Sequence, residues 1–524
     1  MRYVYGITAA VLIGGAAATL TLNPVGAQTA QNDPAMIASP PGGAPMSFAG
    51  LAERLQPAVV NISTRQSVQV RQQRLPPGFE EFFQRFGQQP PNQGGDGGGT
   101  VTQRGGSLGS GFIISADGYI VTNNHVVAPA RPDAVVEQIT VTLSDRTEYE
   151  ATVVGRDQTS DIAVLRIRPR GALPFVRFGD STRTRVGDWV VAIGNPFGLG
   201  GTVTAGIVSA LHRNIGAGVY DRYIQTDASI NSGNSGGPMF DLNGNVIGIN
   251  TALISPTGGN VGIGFAIPAE QVRPVVEALQ RGQPVSRGYI GVSMQDVDEG
   301  VASALGIERN RGTLIRAVTP GGPAARAGIQ QGDVIVGVAG QPVTPDATLA
   351  YLLSQQRVGS RVPIEFIRGG QRRTVQIEVA QRPTDEELAR QNGIEQPNGA
   401  QGADDGDKPE NERESAGQVS ARASLGLTLQ ALTPALLQQM GVRDATVRGV
   451  VITNADPNSD AAQKGLRAGD IILSINQAPT TTPEQVVAAV EAARRAGRRT
   501  VLLQVRRGNT PPAFIGVDLT QPAR

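Results

Sequence analysis

The chain contains no cysteine. That absence removes thiol nucleophiles, thiolate metal sites and disulfides together. Histidine is almost as scarce: His125 and His212 are the only two, too few for most imidazole-based zinc centres. Lysine occurs only at Lys408 and Lys464, which sets aside a serine–lysine pair in the first half of the chain. The formal net charge of +1 gives no general attraction for nucleic acid or acidic partners, and no basic run is interleaved with aromatics. Nucleic-acid binding is not expected.

What is present is apolar and glycine-rich. With 40% hydrophobic residues against 17% charged, the 524 residues can bury real cores, enough for about three or four domains. Arg2 precedes an apolar stretch from Gly6 to Leu22, and Val25-Gly26-Ala27 follows with small residues. This is the pattern of a secretory signal, 1–27, cleaved near Ala27. If kept, it is an anchor close to the lower limit of about 17 residues for a spanning helix. Membrane contact is expected only in that case. A disordered lead-in rich in Ala, Pro and Gln follows over 28–47.

Residues 48–282 carry a short helix, Phe48–Leu55, and then a series of short β-type segments broken by Gly, Asn and Asp. Examples are Ala58–Ser63, Phe112–Ile114, Tyr119–Thr122, Ile139–Leu143, Ala163–Ile167, Trp189–Ile193 and Val246–Ile249. Such spacing suggests barrels rather than a parallel sheet. Pro268 to Gln280 reads as a closing helix. A low-complexity interruption, 66–106, contains Phe79, Phe82, Phe83 and Phe86 at the spacing of an apolar helical face. Beyond it lies one internal repeat. Pro320…Gly328…Gly332-Asp333-Val334-Ile335 matches Pro457…Gly465…Gly469-Asp470-Ile471-Ile472 without a gap, so 283–383 and 422–521 are a duplicated domain. Thr384 to Ala421 is a polar, flexible linker.

The chemistry concentrates in Gly233-Asn234-Ser235-Gly236-Gly237-Pro238, with His125 in Thr122-Asn123-Asn124-His125-Val126-Val127. A serine hydroxyl is a poor nucleophile near neutrality and needs an imidazole held by a carboxylate. Asp161, in Thr159-Ser160-Asp161-Ile162, is the best candidate for that acid. The glycines let the backbone turn sharply and point N–H groups at a developing oxyanion. The order His125, Asp161, Ser235 is that of chymotrypsin-like proteases. No metal and no organic cofactor is called for, because these groups and water suffice.

These three motifs, followed by two repeats bearing Gly-Asp-hydrophobic-Ile strings, resemble the HtrA/Deg family of periplasmic serine proteases over nearly everything after the signal segment. The resemblance implies a mainly β fold: a chymotrypsin-like pair of six-stranded barrels followed by two α+β PDZ domains. It makes Ser235 the nucleophile, His125 the base and then acid, Asp161 the orienting carboxylate, and the N–H groups of Gly233 and Ser235 the oxyanion hole.

Gly233, Asn234, Ser229, Ile230 and the stretch Asn250, Thr251, Ala252, Leu253 are expected to line the primary pocket. With no carboxylate there and Ile230 narrowing it, cleavage after small or medium aliphatic residues is expected. Tyr289, Ile290, Gly291 and Val292 in the first repeat, and Leu425, Gly426 and Leu427 in the second, are the expected peptide-binding turns. The implied partners are unfolded polypeptides and C-terminal peptides, plus further copies of the chain, in trimers or multiples of them, joined through the phenylalanine stripe. His212 reads as structural, and the resemblance implies that the loop from Arg213 to Tyr223 relays PDZ occupancy to the active site. A chaperone with an idle hydrolytic site is one alternative, and a PDZ scaffold anchored to the inner membrane through a retained N-terminal segment is another.

Overall fold

The computed structural model describes residues 47–71, 100–131, 133–196, 201–231, 233–253, 261–384, 387–388 and 425–519. The expected leader, the phenylalanine stripe and almost all of the linker lie outside the described residues. Two compact units meet between Val285 and Ser286.

In the first unit, β1 (Val59–Arg71), β2 (Thr100–Ile113), β3 (Tyr119–Asn123), β4 (Ala134–Thr142), β5 (Glu148–Glu150), β6 (Thr152–Asp157) and β7 (Ile162–Arg166) form one antiparallel sheet. Its order is β5-β4-β1-β2-β3-β7-β6. Seven strands stand where six were expected, for a local reason. β5 and β6 are one stretch interrupted at Ala151, whose N–H donates to Ile139 O at 2.9 Å. The two edges of the sheet are therefore consecutive pieces of chain, and the sheet curls on itself without a continuous ladder.

A second set, β8 (Trp189–Gly194), β9 (Thr202–Arg213), β10 (Tyr223–Thr226), β11 (Pro238–Phe240), β12 (Val246–Leu253) and β13 (Gly264–Pro268), closes completely in the order β10-β13-β12-β11-β8-β9. One core joins the two: Phe112, Val121 and Ile162 of the first sheet pack with Val191, Ile193, Phe240 and Ile249 of the second.

Among the described residues, three α-helices serve this unit: α1 (Ala49–Leu55), α2 (Asn124–Val127) and α3 (Ala269–Gln280). Val272, Val275, Val276 and Leu279 put one buried face of α3 on that core, as their 3, 4, 7 spacing requires. Phe48, just before α1, meets the Trp189 ring at 5.7 Å. The interruption expected over 66–106 begins and ends as strand. β1 and β2 stay paired out to Arg71↔Thr100, so the ladder runs through both arms of the segment.

In the second unit the first repeat contains β14 (Gly288–Tyr289), β15 (Val292–Asp296), β16 (Thr313–Val318), β17 (Val334–Val338), β18 (Gln341–Pro342), β19 (Arg361–Arg368), β20 (Gln371–Glu378) and β21 (Ala380–Gln381). The second contains β22 (Leu427–Ala431), β23 (Val450–Ala455), β24 (Asp470–Ile475), β25 (Ala478–Pro479), β26 (Thr500–Arg507) and β27 (Ala513–Asp518). Their sheets run β15-β16-β17-β19-β20 and β22-β23-β24-β26-β27, one topology used twice.

The shared Gly-Asp string now has a physical reason. Asp333 and Asp470 are each 1% exposed. Arg368 donates to Asp333 through Nε and Nη2, both at 2.6 Å, and Arg507 grips Asp470 at 2.7 and 2.8 Å. Each arginine also donates to a backbone carbonyl, Gly328 O or Gly465 O, at 2.7 Å.

Helix α4 (Glu299–Leu305) joins the repeats. Val301, Ala302 and Ala304 pack with Leu502 and Phe514. Gln295 on β15 brackets the backbone of Phe514, donating to its carbonyl at 2.5 Å and accepting from its N–H at 2.9 Å. An outer edge of the second sheet is thereby covered, which removes a site of stray strand pairing.

Candidate active site

His125 sits on α2, a four-residue helix inserted where β3 ends. Its position is set by Asp161, the residue before β7, which holds φ at +54°, a conformation short polar side chains tolerate. Asp161 O accepts from Asn123 Nδ2 at 2.9 Å and from Asn124 N at 3.0 Å. Its carboxylate then serves His125 twice: Oδ1 accepts the backbone N–H at 2.9 Å, and Oδ2 lies 2.7 Å from the ring Nδ1. A carboxylate can only accept, so Nδ1 carries a proton; in the neutral ring that leaves the lone pair on Nε2.

Ser235 enters through Thr251. The Thr251 hydroxyl donates to Asp161 Oδ2 at 2.9 Å, and Thr251 O accepts the Ser235 hydroxyl at 3.4 Å. One residue thus ties the acid to the nucleophile candidate across the two sheets. The sequence pattern puts Thr251 in the pocket wall, and no spacing in the sequence reveals this side-chain role. Removing it predicts a measurable loss: Thr251→Val lowers kcat about 10- to 100-fold, the worth of one hydrogen bond to a charged group. KM should move little, and Thr251→Ser should restore the rate. Equal kcat in the valine and serine variants would dismiss the role.

Around Ser235 the backbone is crowded enough to dictate glycine. Gly236 has φ +84°, and a Cβ there would stand 2.2 Å from Ser110 O and 2.3 Å from Thr122 Oγ1. Gly233, at φ +111°, faces the Pro196 ring in the same way, with a Cβ meeting it at 2.6 Å. Ser110 is a second residue the motifs did not announce. Its hydroxyl donates to Gly233 O while accepting from Asn195 N at 2.8 Å, and its own N–H donates to Ser235 O at 2.8 Å. Asn61 Nδ2 holds Asn195 O at 2.9 Å. Among the described residues, the N–H groups of Gly233 and Ser235 donate to no acceptor.

The expected pocket residues divide. Asn234 is 3% exposed and donates from Nδ2 to Ser229 O at 3.3 Å, while the Ser229 side chain is exposed. Ile230 is 1% exposed, pressed against Gly264, where an added Cβ would come within 2.6 Å of it. Asn250 is wholly buried and donates to Pro238 O at 3.2 Å, so it acts behind the wall. Ala252 and Leu253 continue β12 opposite Phe265 and Gly264, and their side chains lie outside the described residues.

His212 lies on β9 with φ +57°. The loop after it is wound on Asp221, whose Oδ2 accepts from Ile215 N at 3.1 Å and Ala217 N at 2.8 Å. A Cβ on Gly218 in that loop would lie 3.9 Å from Thr159 O, beside the segment that carries Asp161. Burial, and then the charges of Asp221 and Asp161, push the Tyr223 phenol upward, so it stays neutral near pH 7.

In the first repeat, the Tyr289–Val292 turn places Gly291 at φ +79°. Ile290 O and Gly291 O accept from Ala324 N and Thr319 N at 2.8 and 2.9 Å. The N–H groups of Ile290 and Gly291 donate to no acceptor among the described residues. In the second, Leu425 is 1% and Leu427 0% exposed, with Gly426 at φ +72° between them.

Comparison with known proteins agrees with this arrangement. Residues 109–249 match a trypsin-like peptidase domain, and 288–379 and 451–507 each match a PDZ domain. A protein of Brucella suis biovar 1 (strain 1330), named probable periplasmic serine endoprotease DegP-like, is 39% identical across 99% of this chain and 98% of its own. A Rhizobium meliloti (strain 1021) protein of the same name is 37% identical across 97% and 99%. Among solved structures, the HtrA-type protease AlgW with decapeptide shares 38% identity at a TM-score of 0.51, covering 65% of this chain and 100% of its own.

Fold and site together define a serine peptidase that carries PDZ domains. Identity at this level over almost the whole length is decisive for kinship: the chain belongs to the HtrA/Deg family of serine endoproteases.

Proposed function

We propose that this chain cuts unfolded polypeptides without ATP, in the periplasm, with Ser235, His125 and Asp161 as its triad. The observation that supports this reading best is the hydrogen-bonded series His125–Asp161–Thr251–Ser235 beside the N–H groups of Gly233 and Ser235, which donate to no acceptor among the described residues. For attack, the Ser235 hydroxyl leaves Thr251 O and turns to His125 Nε2. Oγ bonds to the scissile carbonyl carbon as its proton passes to Nε2, and the carbonyl π pair becomes an oxyanion facing the two N–H groups. His125 then protonates the leaving amine. Water repeats the sequence on the acyl-enzyme, and Asp161 stabilises the imidazolium each time.

The residues assigned to the primary pocket are uncharged, with Ile230 buried behind its wall, and no carboxylate stands among them. A buried, unpaired arginine or lysine there would cost several kcal/mol. Cleavage is therefore after valine, alanine and similar residues. The test is digestion of a chemically unfolded protein without ATP, with the new carboxyl ends read by mass spectrometry. Small aliphatic ends are expected; a majority of arginine or lysine ends would overturn the pocket assignment.

Substrate capture falls to the first PDZ domain. AlgW has been solved with a decapeptide, and the Ile290 and Gly291 N–H groups stand ready for a terminal carboxylate at the start of the edge strand β15. Leu425, Gly426 and Leu427 give the second repeat a comparable turn. Relatives named periplasmic and the segment 1–27 support export with cleavage near Ala27. Assembly into trimers through the phenylalanine stripe, holding of unfolded chains as a chaperone, and a relay through the loop on Asp221 complete the reading.

A further inference from the structure

The two repeats share a strand order but differ beside the edge that would receive a peptide. β15 pairs with β16 through Val292↔Val318 and Ser293↔Ala317, then jumps to Met294↔Ile315. Arg316 is the extra residue of that bulge, and bulges re-aim side chains. Its guanidinium reaches β15 and donates from Nε and Nη2 to Ser293 Oγ at 3.2 and 3.0 Å. Gln331 pins the bulge by donating to Arg316 O at 2.8 Å. Arg316 is half-buried, and it has no carboxylate partner among the described residues.

The second repeat has the same bulge, between Thr428↔Asn454 and Leu429↔Ile452. Its extra residue is Thr453, which donates to Thr428 O at 3.2 Å. Where the first repeat carries a cation, the second is neutral.

Alternation along β15 decides what this cation faces. Val292 and Met294 pack toward the core of the repeat, so Ser293 stands on the opposite face. A peptide added to β15, its carboxylate on the Ile290–Gly291 turn, sends its last side chain toward Val292 and Met294. Its second and fourth side chains from the end then stand on the Ser293 and Arg316 face. An arginine already oriented by a neutral hydroxyl is suited to a carboxylate, which it binds in a planar, charge-assisted geometry.

We propose that Arg316 selects an acidic side chain at the second or fourth residue from the carboxyl end of a peptide held on β15. The inference rests on the first repeat capturing peptides, and the experiment separates the two. Fluorescent peptides with an apolar final residue, carrying Glu or Gln at the second, third or fourth position from the end, are titrated by anisotropy against the full chain with Ser235→Ala.

Glu should bind about fivefold tighter than Gln at the second or fourth position, with no preference at the third. Raised salt should shrink the preference. Arg316→Gln should abolish it, and Arg316→Lys should keep part of it, with melting curves confirming that both variants fold. A Glu preference unchanged in Arg316→Gln, or no Glu preference with Arg316 present, overturns the inference while capture stands. If no peptide binds the Ser235→Ala chain, capture itself fails and the inference with it.

Discussion

Ser235→Ala reduces kcat on an unfolded protein by about 10⁶-fold, the scale of losing the nucleophile of a serine peptidase. The substitution removes only a hydroxyl whose hydrogen bond in this structure is a 3.4 Å contact to Thr251 O, so the melting temperature should not fall. Asp161→Asn is the companion measurement. An amide at that position can accept the Nδ1 proton on one atom only and presents a donor on the other, so the histidine tautomer is no longer fixed. A fall of about 10⁴ is expected. The two changes should not add when combined, because both act through one proton transfer. Turnover near the unmodified level in Ser235→Ala would remove Ser235 from the reaction, whatever its neighbours suggest.

The second large effect is on stability. Asp333→Asn should destabilise the first PDZ domain by about 3 kcal/mol, the cost of leaving a gripped guanidinium without its charge partner. Asp333 is 1% exposed and satisfies two arginine donors and the N–H of Gln330, the latter at 2.7 Å. Its carboxylate also raises the already high pKa of Arg368 through that hydrogen bond.

Denaturant unfolding of the full Ser235→Ala chain, followed by hydrogen exchange in 288–379, would report the loss. The double change Asp333→Leu with Arg368→Met should recover part of it, because it removes the uncompensated charge but leaves Gln330 N–H and Gly328 O without these partners. A midpoint unmoved by Asp333→Asn would show that the Gly-Asp string serves only its turn. Asp470→Asn should act in the same direction but more weakly in the second PDZ domain, because Arg507, which grips Asp470 in the same way, is 48% exposed against 25% for Arg368.

What the sequence determined by itself was local or periodic. Strand segments such as Ala163–Ile167 and Trp189–Ile193 were legible because a buried strand reads as a short apolar run between turn residues. Helix α3 was legible as the closing segment Pro268 to Gln280. The repeat and the three motifs were legible because duplication and a glycine-bound serine leave their mark in consecutive residues.

The tertiary structure decided whatever depends on partners distant in the chain. Thr251 meets Asp161 from 90 residues away, and Ser110 meets Gly233 from 123. Arg368 lies 35 residues beyond Asp333, and Arg507 lies 37 beyond Asp470, so even the repeat does not align the two arginines without a gap. The extra strand of the first sheet arises from a break at one residue, Ala151, that propensity does not mark. The bulge that aims Arg316 at Ser293 is a matter of register between two strands. Register is set by how both strands pack, and neither strand encodes it alone.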